Sequence, residues 1–289
     1  KLTLAYEGTD YAGWQIQDSR RQTSDVRHQK NRRPTIQGTL ETAFRQITGE
    51  RVRVVGSGRT DAGVHALAQV AHVKLHSAIR AQSLQRALNA VLPPDIVVTK
   101  IEEAPAGFHA RFGARVKRYR YRLVTGGVVL PFERRYVHHV RAPLNVRLMR
   151  REATALLGRH DMRAFHKLSR PVADARRTVS RIWVRQRGRE LLIELDADGF
   201  LHGMVRSIVG TLIDVGRGFR PPGAIAALLK TRDRRLVGPA APAKGLCLVH
   251  VRYWVASVTT AMTPTTRPLV SRRGATERLT SIGEPSFFW

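Results

Sequence analysis

The chain has 289 residues, 43% of them apolar, which is enough for one large domain or two modest ones. Fifty Lys and Arg against 22 Asp and Glu give a formal net charge of +28, which favours nucleic acid as partner over an anionic membrane surface. The single cysteine excludes an internal disulfide, and no run approaches the roughly 20 apolar residues that span a bilayer. We therefore expect a soluble, cytoplasmic protein.

The first part of the chain predicts the order β-α-β-β-α-β. The predicted elements are a strand over 2–6, a helix that begins after Thr35 and ends at Gly49, strands at 52–54 and 69–75, a helix ended by Pro93-Pro94, and a buried strand over 96–101. This order is the split βαβ arrangement of ferredoxin-like folds.

The second part of the chain repeats this theme loosely. The predicted elements are strands over 116–124, 178–184, 191–195 and 246–254, and helices over 144–157, 200–215 and 224–229. Two tandem α+β halves, 1–107 and 108–256, that share or join a sheet are the simplest architecture.

Two segments lack apolar periodicity. Residues 18–33 carry six Lys and Arg, which predicts a mobile basic loop. Residues 257–289 are rich in Thr, Ser, Pro and Arg, and we expect them to form a disordered tail.

A glycine-rich stretch, GSGRTDAGVHA (56–66), holds one carboxylate, Asp61. The stretch lacks the third glycine of a dinucleotide fingerprint, the Gly-Lys pair of a P-loop and the pattern of a serine nucleophile elbow. The histidines also lack the spacing of metal ligands, so we expect no metal site. The carboxylate itself, kept ionised by Arg59 and the amides of the turn, can act as a nucleophile or stabilise a cationic transition state. The alternative is an Asx-turn with a structural role only.

Two segments of the second half offer partners for Asp61. In RYRYR, which starts at Arg118, alternation puts Tyr119 and Tyr121 on one strand face and the arginines on the other. The tyrosines could stack a base and the arginines could hold phosphates, or the tyrosines, Tyr121 above all, could belong to the core. Arg206 lies in the apolar stretch FLHGMVRSIVG, where an unpaired guanidinium is costly. Asp61 is an attractive partner for it, and a solvent-exposed Arg206 is the alternative.

Six motifs, in this order, resemble those of the tRNA pseudouridine synthase A family of pseudouridine synthases. They are GTDYAGWQ (8–15), GRTDAGVHA (58–66), FHARF (108–112), RYRY (118–121), FLHGMVRSIVG (200–210) and KGLCLVHVRY (244–253). The resemblance implies isomerisation of uridines 38–40 in the tRNA anticodon arm to pseudouridine, without cofactor or metal. It also implies a homodimer of two ferredoxin-like halves, which form a continuous, mostly antiparallel sheet with helices on one side and a basic cleft.

The resemblance also implies roles for single residues. Asp61 would be the catalytic nucleophile, and Arg59 would occupy space in the duplex or help to extrude the target base. Tyr119 would stack on the flipped uracil, and Arg206 would pair with Asp61. The tRNA contacts of the FHARF motif would come from Phe108, His109, Ala110, Arg111 and Phe112. The loop over 18–33 is longer and more basic than the family leads us to expect, and we expect it to bind tRNA phosphates. A non-catalytic RNA-binding protein on the same fold is the alternative function.

Overall fold

The computed structural model describes residues 1–16, 33–167 and 172–253. The predicted basic loop, apart from Arg33, and the predicted tail both lie outside these residues. The described strands are β1 (Leu2–Tyr6), β2 (Val55–Gly56), β3 (His65–His72), β4 (Ile96–Ile101), β5 (Ala114–Thr125), β6 (His138–Val140), β7 (Gly158–Asp161), β8 (Arg176–Arg187), β9 (Glu190–Ala197) and β10 (Leu246–Tyr253). The described helices are α1 (Ile36–Thr48), α2 (Ala81–Val91), α3 (Val146–Thr154), α4 (Met204–Gly216) and α5 (Ala224–Thr231).

One sheet contains all ten described strands. Eight of them follow the order β4-β1-β3-β10-β5-β9-β8-β7, while β2 pairs with β3 and β6 pairs with β5. Within the described residues only the β3–β10 and β5–β6 pairs are parallel, so the sheet is mostly antiparallel. Helices pack on this sheet and give a mixed α+β fold.

Helix α1 has the caps that its sequence predicts. The Thr35 hydroxyl accepts a hydrogen bond from the Gly38 amide at 3.1 Å, which satisfies one of the free donors at the helix start. Gly49 ends the helix with φ of 73°, a left-handed conformation that favours glycine. Leu40 and Phe44 are fully buried, as the apolar spacing predicts.

The strands on either side of the Asp61 loop begin and end at other residues than predicted. Val54 is not in a strand, because its amide donates to the Glu41 carboxylate of α1 at 2.9 Å. Strand β2 is therefore limited to Val55–Gly56. Strand β3 covers 65–72 instead of 69–75, because β1 pairs with it from Ala66 to Ala71. A long-range pairing thus decided the position that local periodicity missed.

Three further predictions about single elements were wrong, and two short strands were missed. Helix α4 begins at Met204 rather than at residue 200, because Gly203 precedes it with φ of 69°. Helix α3 ends before Gly158, which instead begins β7. The short strands β6 and β7 were not predicted at all. Strand β4 lies at the end of the sheet path and alternates between buried and exposed residues, whereas a buried strand was expected.

Candidate active site

The loop that carries Asp61 leaves the sheet at a gap between two strands. Strand β1 occupies one edge of β3 over Ala66–Ala71, so β2 and β10 share the other edge. Strand β2 pairs with residues 71–72 of β3, and β10 pairs with residues 65–66. The loop over 57–64 lies where this edge passes from one partner to the other. Asp61 is thereby brought to the junction of the first and second parts of the chain.

A buried polar network fixes the backbone of this loop. A hydrogen bond of 2.9 Å joins the Tyr6 and Thr60 hydroxyls. The Gln69 side chain accepts from the Ser57 hydroxyl at 2.7 Å and donates to the Gly58 carbonyl at 2.9 Å. Ser57 and Gln69 are both fully buried. Because each of these polar groups has a partner, the network holds the loop in one conformation.

The GTDYAGWQ segment supports the loop from the other side. The Trp14 amide donates to the Thr60 carbonyl at 3.0 Å. A Cβ on Gly8 would lie 2.1 Å from the Val64 carbonyl oxygen, and one on Gly56 would lie 2.6 Å from the Trp14 ring. These glycines therefore allow close packing within the protein.

The Asp61 carboxylate has two nitrogen-bearing side chains as neighbours in the described part of the chain, Arg206 and His202. Arg206 Nη1 lies 3.1 Å from Oδ2, and His202 Nε2 lies 3.3 Å from Oδ1. The Asp61 and Arg206 side chains are only 17% and 16% exposed, and Arg206 Nε also donates to the Ala241 carbonyl at 2.7 Å. The structure therefore brings Asp61 and Arg206 together, as the sequence predicts.

Gly210 in α4 allows the segment with the Ala241 carbonyl, which Arg206 binds, to approach the helix closely. A Cβ on Gly210 would lie 1.8 Å from the Pro239 carbonyl oxygen, so this position requires glycine. The close approach lets the Ala241 amide donate to the Arg206 carbonyl at 2.9 Å. The same residue, Ala241, thus contacts both the backbone and the guanidinium of Arg206.

Arg59 does not hold the Asp61 carboxylate, contrary to our expectation. It is exposed and lines the cleft in front of Asp61, and no ion pair joins the two in the described residues. Partial burial and the nearby Arg111 lower the pKa of Arg59. Arg206 and His202 take the place that we expected Arg59 to occupy.

The tyrosines of β5 have different surroundings. Tyr119 lines the cleft together with Asp61, and Phe200 meets its ring edge-on at 5.1 Å. Burial raises the pKa of Tyr119 far above its usual value, so its hydroxyl stays protonated. Tyr121 is fully buried and donates to the Pro242 carbonyl at 2.9 Å, which makes it a core residue.

The arginines on the opposite face of β5 are bound to carboxylates of β9. The pairs and their N–O distances are Arg118–Asp196 at 2.7 Å, Arg120–Glu194 at 2.8 Å and Arg122–Glu190 at 2.7 Å. The alternation predicted for RYRYR is present, but the charge of these arginines is already neutralised. This arrangement does not support the expectation that they hold phosphates.

The FHARF motif combines packing residues, 108–110, with two exposed residues, Arg111 and Phe112. Phe108 packs on Tyr253 with ring centroids 5.0 Å apart, and His109 lies 4.8 Å from the His72 ring. Ala110 is fully buried, and its backbone bonds both Tyr253 and His72. The tRNA contact expected of Ala110 stays a prediction. Of the five residues in the motif, only Arg111 lines the cleft.

The cleft in front of Asp61 has a volume of about 440 Å³. Six Lys and Arg of the described residues line it, namely Arg53, Arg59, Arg111, Lys117, Arg177 and Arg206. Asp61 is the single acidic residue among the described residues that line it. An anion that enters the cleft therefore meets a strongly positive surface.

Three residues of this cleft were missed by the sequence reasoning. His202 lies inside the FLHGMVRSIVG motif but carries no signal of its own. Lys117 precedes Tyr119 by two residues, and strand alternation would have placed it on the same face. Arg177 is one of several arginines at the start of β8, and no local pattern separates it from the others.

No group of metal-ligating side chains with three or more members occurs in the part of the chain that the structure describes. Nor does any helix of residues 1–16, 33–167 and 172–253 have the length and apolar character to cross a membrane.

A comparison with models of known protein families shows to which family the chain belongs. The family model for tRNA pseudouridine synthase matches residues 4–113 and 153–254, which include Asp61, Arg206 and the whole of α4. The chain belongs to this family. The resemblance inferred from the six motifs is thereby confirmed.

Two curated relatives match this chain over nearly their whole length. tRNA pseudouridine synthase A of Moorella thermoacetica is 43% identical over 253 residues, which cover 88% of this chain and 98% of the relative. The protein of the same name from Brevibacillus brevis is 42% identical with the same coverage. A solved Cbf5-Nop10-Gar1 complex matches at 12% identity over 74% of this chain and 44% of its own, with a TM-score of 0.33.

Proposed function

We propose that this chain converts uridines 38–40 in the anticodon arm of tRNA to pseudouridine, with Asp61 as the nucleophile. The observation that carries the proposal is the clamped carboxylate of Asp61, which lies 3.1 Å from Arg206 in a cleft whose described lining includes six Lys and Arg and no other acid. The reaction breaks the N1–C1′ bond, turns the uracil and joins it through C5, so it needs no second substrate. None of the comparisons favours the alternative of a non-catalytic RNA-binding protein.

The surroundings of Asp61 suit a base that has left the helix stack. Extrusion of a base costs a few kcal/mol, which new contacts in the protein must offset. Tyr119, in the wall of the cleft, would stack on the uracil, and the exposed Arg59 would take the place of the base in the RNA. Arg206 and His202 would hold the two carboxylate oxygens of Asp61 toward the ribose.

The proposed architecture is two tandem ferredoxin-like halves with helices on one side of the sheet and a basic cleft between them. Strand order supports it: β4-β1-β3, with β2 next to β3, is repeated by β10-β5-β9-β8. The six Lys and Arg of the described cleft lining support the basic cleft. A homodimer that acts in the cytoplasm on the anticodon arm completes the proposal.

The test measures pseudouridine formation on unmodified tRNA by the wild-type chain, Asp61→Asn and Asp61→Ala. Asp10→Asn serves as a matched control, because the Asp10 side chain is 65% exposed and lies outside the described cleft lining. We expect product from the wild type and the control, and none from the Asp61 variants, which still bind tRNA. Substituting each of uridines 38–40 in turn identifies the positions that are modified.

Product from Asp61→Ala at the wild-type rate would overturn the assignment of the nucleophile. Binding of tRNA by all four proteins, with pseudouridine from none of them, would support the non-catalytic alternative.

A further inference from the structure

Lys117 is a cation of the cleft that the proposed reaction leaves without a role. It lies on β5 two residues before Tyr119, and alternation puts both side chains on the same face, about 7 Å apart along the strand. Its Nζ is 3.4 Å from the place that a Cβ of Gly58 would occupy, which puts the ammonium group beneath the Asp61 loop. It lines the same cleft as Asp61 and Tyr119.

The charges around Lys117 are mostly of its own sign. Burial, with Arg111 and Arg177 nearby, lowers the pKa of Lys117 from 10.5 to about 8, while Asp198 has the opposite, smaller effect. The Asp198 carboxylate accepts the Thr178 amide at 3.0 Å and is not part of the cleft lining. In the described part of the chain no carboxylate forms an ion pair with any of these three cations.

The neighbouring cations have few other partners. Arg177 donates to the Asp174 carbonyl at 3.0 Å, and the Arg111 guanidinium lies 5.5 Å from the centre of the Phe112 ring. Three neighbouring cations that form no ion pair with a carboxylate in the described residues repel one another, and a bound anion would reduce that repulsion. The same strand shows the contrast on its other face, where each of three arginines has a carboxylate.

We propose that Lys117, with Arg111 and Arg177 beside it, binds a backbone phosphate of the RNA next to the uridine that stacks on Tyr119. The inference rests on the proposed function for the identity of the anion. The distance from Lys117 to Tyr119 along the strand is within the length of one nucleotide. A phosphate at Lys117 would therefore fix the position of the extruded base relative to Asp61.

Proton uptake follows from this placement. In the free protein the pKa of Lys117 is about 8, and a phosphate beside the ammonium group would raise it. RNA binding should therefore take up a proton above pH 8, and the affinity should fall as the pH increases from 7 to 9. An arginine at the same position stays protonated over this range and would remove the pH dependence.

The first arm of the test measures tRNA affinity as a function of salt for the wild type, Lys117→Met and Lys117→Gln. Loss of one phosphate contact should raise Kd about tenfold and reduce the slope of log K against log [salt] by about 0.7–0.9. Arg120→Gln is the matched control, because it removes one charge from the opposite face of the same strand. An unchanged slope in both folded Lys117 variants would overturn the proposal.

The second arm measures Kd between pH 7 and pH 9 for the wild type and Lys117→Arg. We expect Kd of the wild type to increase by about tenfold, as a site with a free-state pKa of about 8 requires, and Kd of Lys117→Arg to stay constant. Equal pH profiles of the two proteins would contradict proton uptake at Lys117.

Two further measurements separate the possible failures. Inorganic phosphate alone should stabilise the wild type against heat only weakly; saturation at micromolar concentrations, lost in Lys117→Met, would indicate a site for free phosphate and overturn the RNA assignment. If the wild type makes no pseudouridine but Lys117→Met lowers the salt slope, the proposed function fails and the phosphate site stands. If pseudouridine forms and the slope does not change, only the phosphate site fails.

Discussion

Arginine–carboxylate pairs occur in two regions of this protein with similar distances and different surroundings. Arg206 lies 3.1 Å from Asp61 in the cleft, and Arg120 lies 2.8 Å from Glu194 on the outer face of β5 and β9. Arg120 and Glu194 are opposite each other in the strand register, as are Arg118 and Asp196. The outer pairs are thus cross-strand contacts of an antiparallel ladder.

The difference lies in the partners of the cations around each pair. On the outer face each of the three β5 arginines has its own carboxylate on β9, and the additional arginines Arg181 and Arg185 of β8 lie over the Trp183 ring. In the cleft, Asp61 is outnumbered by six Lys and Arg of the described residues. The geometry of an ion pair therefore does not mark a functional site; the Lys and Arg of the described residues that surround the cleft pair without carboxylates of their own do.

Breaking the Arg206–Asp61 pair of the cleft should have the largest effect on the rate of pseudouridine formation. Arg206→Ala removes the Nη1 contact to Asp61 and leaves the Ala241 carbonyl without its guanidinium partner. Loss of one preorganised contact to the reacting group typically lowers kcat by on the order of 100-fold. We expect a decrease of that size in single-turnover pseudouridine formation, with tRNA affinity changed much less.

Arg206→Lys is the conservative control for this prediction. Lysine keeps the charge but cannot reach both Asp61 and Ala241 with a planar fork, so partial activity is expected. Wild-type rates in Arg206→Ala would mean that His202 alone, 3.3 Å from Asp61, suffices to position the carboxylate.

Lys117→Met should change the pH dependence of the free energy of unfolding, which tests whether Lys117 is a cation without a partner in the cleft. Because the pKa of Lys117 in the folded protein is lowered from 10.5 to about 8, the protonated lysine destabilises the fold at every pH below about 8. This destabilisation, on the order of 3 kcal/mol, disappears as the pH rises from 8 toward 10.5. We expect Lys117→Met to have a higher free energy of unfolding than the wild type at pH 7, and an advantage that shrinks above pH 8. Urea unfolding at a series of pH values measures it, and a constant difference would contradict the prediction.

The contents of the cleft were predictable where local chemistry required a partner. An unpaired arginine inside an apolar helix is costly, so Asp61 could be named as an attractive partner for Arg206, with a solvent-exposed Arg206 as the alternative. The six motifs supplied the family and, with it, Tyr119 as the aromatic of the site. The caps of α1 were likewise visible in Thr35 and Gly49.

Long-range register accounts for what could not be predicted. The partners of the RYRYR arginines come from β9, some 70 residues later, and no local pattern states which residues face each other. For the same reason the bounds of β3 were missed, since β1 sets them. The sequence does not show why residue 210 is a glycine. The Pro239 carbonyl lies against it, and the segment at Pro239 has no periodicity that would predict this contact.

Breaking an outer pair should have the smallest effect on function. Arg120→Gln removes a cation from an interior strand of the sheet and leaves the Glu194 carboxylate, only 10% exposed, without its partner, so we expect a loss of stability of a few kcal/mol but no loss of function. If the β5 arginines serve only their partner carboxylates, tRNA affinity, its salt dependence and the rate of pseudouridine formation should all stay within about twofold of the wild type. Glu194→Gln added to Arg120→Gln should recover the lost stability. A salt slope reduced as much as that of Lys117→Met would show that RNA also contacts this face, and the distinction between cations with and without a carboxylate partner would then fail.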